Sequence, residues 1–141
     1  MTTPERARFW EQRLRAGIEA FNREDFDASL EFMHPDFEWH PGEVGVEGGV
    51  LHGRDDVRAL MTPDVFDRQE LEVCGFEMHG DKAVLETVFH ARGRSTGIEL
   101  SNRIWQVWTV HDELAVRVEL YDDEQSARAA AGLGATPAPP E

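Results

Sequence analysis

Three long strand-like runs crowd the last third of the chain, at residues 82–92, 97–110 and 114–121. Short turns separate them, at residues 93–97 and at His111-Asp112-Glu113. Connections this short join antiparallel neighbours. A fourth run, residues 70–78, feeds in through His79-Gly80-Asp81. Ahead of them, residues 22–40 read as a helix followed by a short strand that ends at Pro41. Helices first and long antiparallel strands after is the plan of a small α+β cone, in which a curved sheet wraps around helices. Such a cone leaves a pocket between helices and sheet, and function is to be sought there.

The composition limits what that pocket serves. A formal charge of −14, from 28 acids against 14 bases, speaks against nucleic acid, which needs a basic footprint. It speaks equally against an anionic membrane surface. The single cysteine, Cys74, leaves no internal disulfide and no multi-cysteine zinc site, and is expected as a small strand residue. The charged start of the chain has no signal-peptide core, and no apolar run is long enough to span a membrane, so a cytoplasmic location is expected. The length of 141 residues suits one domain, residues 1–133, with a disordered Ala/Pro tail at residues 134–141.

Along the chain, Thr3 is expected to cap the first helix, with Pro4 and Glu5 in its first turn. Trp10, Leu14, Ile18 and Phe21 follow at helical spacing as one buried stripe. Gly17 interrupts that helix at a cost of about 1 kcal/mol against alanine, which predicts close packing or open space beside it. Residues 25–33 predict a second helix, stopped by His34-Pro35. Phe37 to His40 alternate as a strand. Residues 41–53 read as a long glycine-rich loop and residues 54–61 as a third helix. Gly75 marks a bulge or bend in the strand 70–78. Within residues 98–110, Asn102, Ile104, Gln106, Trp108 and Val110 oppose Arg103, Trp105, Val107 and Thr109. Both faces are substantially apolar, so the outer one needs cover, and a second subunit (a homodimer) is the simplest cover. Residues 122–131 close with a short helix, capped by Gly132.

Several segments, taken in order, resemble the SnoaL-like branch of the nuclear transport factor 2-like superfamily, which includes ketosteroid isomerases and polyketide cyclases. They are Ala20-Phe21-Asn22-Arg23-Glu24-Asp25, Pro35-Asp36-Phe37-Glu38-Trp39-His40-Pro41, Leu51-His52-Gly53-Arg54-Asp55-Asp56-Val57, Ile104-Trp105-Gln106-Val107-Trp108-Thr109-Val110 and Arg117-Val118-Glu119-Leu120-Tyr121-Asp122. The resemblance implies a cone-shaped, cystatin-like α+β barrel, commonly dimeric. It places His40 where a ketosteroid isomerase carries its general-base aspartate, Gly17 where it carries the oxyanion tyrosine, and Gln106 near the assisting acid. With Gly17 in the tyrosine's place, steroid isomerisation itself is not expected.

The candidate site follows from both lines. Glu38 and His40 share a strand face, and a carboxylate beside an imidazole holds its tautomer and strengthens it as a base, which makes them the catalytic pair. The alternative is an exposed strand face, because Phe37 and Trp39 are the more natural inward residues. Gly17, Trp39, Phe89, Gln106, Trp108 and Tyr121 are the expected substrate-binding residues, with the aromatics suited to a flat apolar ligand. Arg117, Glu119 and Tyr121 form either a polar network in the pocket or a ladder outside it, and His90 belongs outside. No metal pattern, phosphate loop or dinucleotide fingerprint occurs, so neither metal nor cofactor is expected. Two functions remain open: a cofactor-free isomerase, cyclase or hydratase acting on a small hydrophobic molecule, or a non-catalytic ligand-binding or dimeric module. An epoxide-hydrolase-like Asp–Arg–Asp set has no clear candidate.

Overall fold

The computed structural model describes residues 2–42, 49–62 and 64–134. Helix α1 (Thr3–Asn22) starts one residue earlier than expected: Thr2, not Thr3, is the N-cap, its hydroxyl accepting from the Glu5 amide at 3.3 Å. Two short helices follow, and only the first has a side-chain cap. Helix α2 (Phe26–Leu30) is capped by the Asp25 carboxylate at the Ala28 amide. It is shorter than its sequence pattern, because Phe32 and Met33 turn over into the sheet. Strand β1 (Met33–His40) is correspondingly longer, and its path is bent by a register shift between Met33 and Glu38.

The glycine-rich stretch holds more structure than a loop. Leu51–His52 form a two-residue strand β2 against β1, and α3 (Gly53–Met61) starts directly after it. The remainder of that stretch, residues 43–48, lies outside the described residues, as does most of the expected tail. Strands β3 (Phe66–His79), β4 (Lys82–Gly93), β5 (Glu99–His111) and β6 (Leu114–Tyr121) form an antiparallel meander. The sheet order is β2-β1-β6-β5-β4-β3, with β1 parallel to β6. The register of β3 slips between Val73 and Gly75, which places the bulge where the glycine predicted it.

The inner face of the sheet and the helices share one core. Trp10 and Leu14 from α1, Phe32, Phe37 from β1, Leu85, Trp108, Val110 and Val118 are all buried in it. Asn22, the last residue of α1, ties the helix to the edge strand β3: its side-chain amide donates to the Leu71 carbonyl and accepts from the Leu71 amide, both at 2.8 Å. One side chain thus satisfies a backbone donor and acceptor that an edge strand leaves unpaired.

A fourth helix, α4 (Glu124–Ala130), crosses to the outer face of the sheet. Ala127 and Ala131 pack on Val84 and Val107, with Trp105, Tyr121 and Leu133 around them. Part of the outer apolar face that called for a second subunit is therefore covered by the chain itself. Among the described residues no helix is long and apolar enough to cross a membrane.

Candidate functional site

Between the three N-terminal helices and the inner face of the sheet lies a cavity of about 600 Å³. This size suits a drug-sized ligand. Its walls are almost entirely apolar. Gly17 and Ile18 come from α1, Phe37 and Trp39 from β1, and Phe89, Ile104 and Trp108 from the central strands. Among the described residues that line it, none is ionisable; the polar groups are Ser29, Gln69, Asn102 and Gln106.

Gly17 earns its place by contact. A Cβ built there would lie 2.6 Å from a ring carbon of Phe32. The Phe32 ring turns an edge toward the helix and packs on Trp108 at a tilt, with centroids 5.5 Å apart. Phe37 meets Trp108 from the strand side at 5.8 Å. The space that a side chain at position 17 would fill is thus taken up by the Phe32 ring, from the turn just before β1.

Gln106 is the polar centre of the cavity. It is buried, and the Trp108 indole N–H donates to its Oε1 at 2.9 Å. An indole nitrogen only donates, so the amide atom facing it must be the oxygen. That fixes the other end of the amide: Nε2 has no protein acceptor among the described residues, and it is a donor presented to the cavity. Gln69 is committed elsewhere, donating to the Met61 carbonyl at 3.0 Å, and Ser29 donates to the Phe26 carbonyl at 3.0 Å. Asn102 stands on the same face as Gln106, four residues toward the cavity mouth.

The expected catalytic pair lies elsewhere. Glu38 and His40 do bond, at 2.8 Å, and Arg117 adds a second donor to Glu38 at 3.2 Å. But Phe37 and Trp39 take the inward positions, so Glu38 and His40 face outward, level with Arg117 and Glu119 on the neighbouring strand. The reason is strand alternation: one residue of each adjacent pair must face out, and burying two aromatics outweighs burying an ion pair. His40 and Glu38 do not line the cavity, which corrects the expectation that they are its catalytic pair. Tyr121 is also outside, its hydroxyl donating to Glu119 at 2.8 Å. Of the expected substrate-binding residues, Gly17, Trp39, Phe89, Gln106 and Trp108 line the cavity and Tyr121 does not.

The outer network has its own electrostatics. The bond from His40, then that from Arg117, holds the Glu38 carboxyl below its ordinary range. Burial beside α4, followed by the bond to the Glu119 carboxylate, pushes the Tyr121 phenol up to about 12. Among the described residues no group of three His, Cys, Asp or Glu is placed to hold a metal.

The profile of the SnoaL-like domain matches residues 14–118. The chain belongs to the SnoaL-like family. No curated protein matches it. Solved structures of similar fold include a putative polyketide cyclase from Xanthomonas campestris pv. campestris, 23% identical, TM-score 0.72, covering 87% of this chain and 96% of that one. An NTF2-like protein of unknown function from Burkholderia pseudomallei K96243 is 24% identical, TM-score 0.70, covering 86% and 95%. TerC, co-crystallized with polyporic acid, is 25% identical, TM-score 0.68, covering 85% and 95%. The six-stranded mixed sheet and N-terminal helices of the chain described here are thus an NTF2-like α+β fold.

What sequence reasoning missed was Phe32 and the roles of Asn102 and Gln69. The strand parity of Asn102 was visible beside Gln106. Phe32 was hidden because its segment reads as helix until the chain turns at Glu31.

Proposed function

We propose that this SnoaL-like chain binds a flat hydrophobic molecule carrying a hydrogen-bond-accepting oxygen, held in the cavity with that oxygen on Gln106 Nε2. The observation that carries this is the Gln106 amide, locked by Trp108 so that its donor faces an otherwise apolar space. Nε2 opens on the cavity, and a ligand that supplies an acceptor there gains a hydrogen bond worth about 0.5–1.5 kcal/mol. Asn102 offers a second polar contact. Four residues of antiparallel strand separate the two amides by about 14 Å, a span that a molecule of three or four fused rings can bridge. The co-crystallization of TerC with a small organic acid, polyporic acid, supports a small-molecule reading.

Isomerisation, cyclisation or hydration in this cavity would need a group that takes or gives a proton there. The described lining offers neutral amides and one committed hydroxyl, while the ionisable Glu38 and His40 lie on the outer face. The binding reading is therefore favoured over acid/base catalysis by His40.

The test is a tryptophan-fluorescence titration with a tricyclic or tetracyclic ketone and the hydrocarbon of the same shape. The ketone should bind about tenfold tighter, the worth of one neutral hydrogen bond in a dry site. The substitution Gln106→Leu should erase that preference. Equal binding of both compounds by the native protein, or none of either, would overturn the reading. Turnover of the bound ketone that is lost in His40→Ala would restore the catalytic one.

A further inference from the structure

A second constellation stands on the outer face of the sheet, on β3, β4 and β5, away from the Val84 and Val107 positions that α4 covers. Ser101 on β5 is the direct cross-strand partner of His90 on β4, and the Ser101 hydroxyl lies 2.7 Å from His90 Nδ1. On the other side, His90 Nε2 lies 3.0 Å from the Glu72 carboxylate of β3. Three strands thus bring a hydroxyl, an imidazole and a carboxylate into one line.

The proton positions in that line follow from chemistry. A carboxylate only accepts, so in the neutral imidazole Nε2 carries the hydrogen and donates to Glu72. Nδ1 is then a bare acceptor, and the Ser101 O–H must be the donor between them. This is the polarity of a nucleophile held by a general base, with the base oriented by a third group. The two ring nitrogens exchange the roles they have in the common serine hydrolases, which the chemistry permits because either nitrogen can accept a proton.

We propose that Ser101 is a primed nucleophile, an acyl-accepting serine for small activated esters, separate from the cavity. The trio is open to solvent: the His90 side chain is 41% exposed and that of Glu72 58%. The backbone beside Ser101 also supplies donors. The register of β6 ends with the pair Trp105 and Tyr121, so residues 99–104 of β5 have a described strand on the β4 side alone. Every second N–H of such an edge points away from the sheet and is free to meet a developing oxyanion. Arg103, two residues on and on the same face, adds positive charge, although one nitrogen of its guanidinium is engaged by Glu86.

The step balances within these groups. The Ser101 oxygen adds to the ester carbonyl as its proton passes to His90 Nδ1. Collapse of the tetrahedral species breaks the bond to the leaving oxygen, which departs as phenolate or takes the proton as alcohol. The acyl group stays on Ser101 until water, activated by the same imidazole, removes it as a carboxylate.

The experiment uses the full chain and 4-nitrophenyl acetate. A burst of one 4-nitrophenol per chain is expected, with one acetyl group located by mass spectrometry on Ser101. Ser101→Ala should remove both burst and label while leaving the melting temperature unchanged. Glu72→Gln should slow the burst several-fold without changing its amplitude, because it disturbs the imidazole's tautomer and not the acceptor. No burst from the native protein, or a burst that persists in Ser101→Ala, as attack by His90 itself would give, overturns the proposal.

Discussion

At Gly17 two residue-scale effects oppose each other, and their sizes decide the outcome. Replacing a mid-helix glycine by alanine ordinarily stabilises by about 1 kcal/mol. Here the new methyl would sit 2.6 Å from the Phe32 ring, which is pinned from behind by Trp108. Overpacking of a filled site costs about 1–3 kcal/mol. Gly17→Ala should therefore lower stability in urea denaturation; a gain would mean that the ring moves freely. Gln106 gives a cleaner contrast. Gln106→Leu leaves the buried Trp108 N–H without its acceptor, at a cost of about 1–3 kcal/mol, on top of the lost ligand contact. The role of Gly17 was half legible: a glycine at that helical position signals contact or space, but its partner comes from a segment whose own pattern pointed to helix. The inward register of Phe37 and Trp39 was legible from alternation alone, and it was the family position of His40 that argued the other way.

Elements were more legible than their ends. The four long strands were readable because each is a β-branched or aromatic run bounded by turn residues; β6 begins and ends where the pattern does, whereas β3 starts at Phe66, four residues before the expected 70. Helix α2 was overestimated because local propensity cannot register that Phe32 and Met33 gain more by joining the core. Helix α4 was expected, but not that it lies across the outer face, since nothing in seven residues specifies which surface they cover. Its docking makes two predictions. The Asp123 carboxylate accepts from the Ser126 amide at 2.7 Å, and this bond holds its carboxyl below the ordinary range. Asp123→Ala should lower the melting temperature by a few degrees at neutral pH, and by less as acid protonates the native cap. Tyr121, the only tyrosine in the chain, gives the alkaline counterpart. Its folded phenol is pushed up to about 12 from an ordinary value of 10.0, so the neutral form is favoured by folding. That stability is fully present below pH 10.0 and is lost as pH rises toward about 12. Tyrosinate absorbance should appear together with loosening of α4, and Tyr121→Phe should flatten the stability profile over this window.

For the whole molecule, two electrostatic effects of opposite sign respond to salt. Exposed ion pairs tie the surface together: Arg92 with Asp67 at 2.9 Å, Arg117 with Glu38 at 3.2 Å, and Arg103 with Glu86. Pairs of this kind are each worth about 0–1 kcal/mol and weaken as salt rises. Against them stands the repulsion of a chain with net charge −14, which acts over longer distances and is therefore screened more completely once the Debye length falls to about 10 Å near 0.1 M. With 28 acids and 14 bases, half the acidic side chains have no basic counterpart. Repulsion should dominate, and the melting temperature should rise by several degrees between about 0.01 M and 0.2 M sodium chloride, the shift of about 1–2 kcal/mol in a domain of this size. Acid does not give the same relief, because Glu38, Asp67 and Asp123 are held below their ordinary ranges by their partners. Their contributions are present above the unfolded values of 4.5, 3.8 and 3.8 and are lost as pH falls through the lower folded ones. Calorimetry at neutral pH across that salt range decides the matter: a falling melting temperature would show that the local pairs, not the net charge, govern the fold's electrostatic balance.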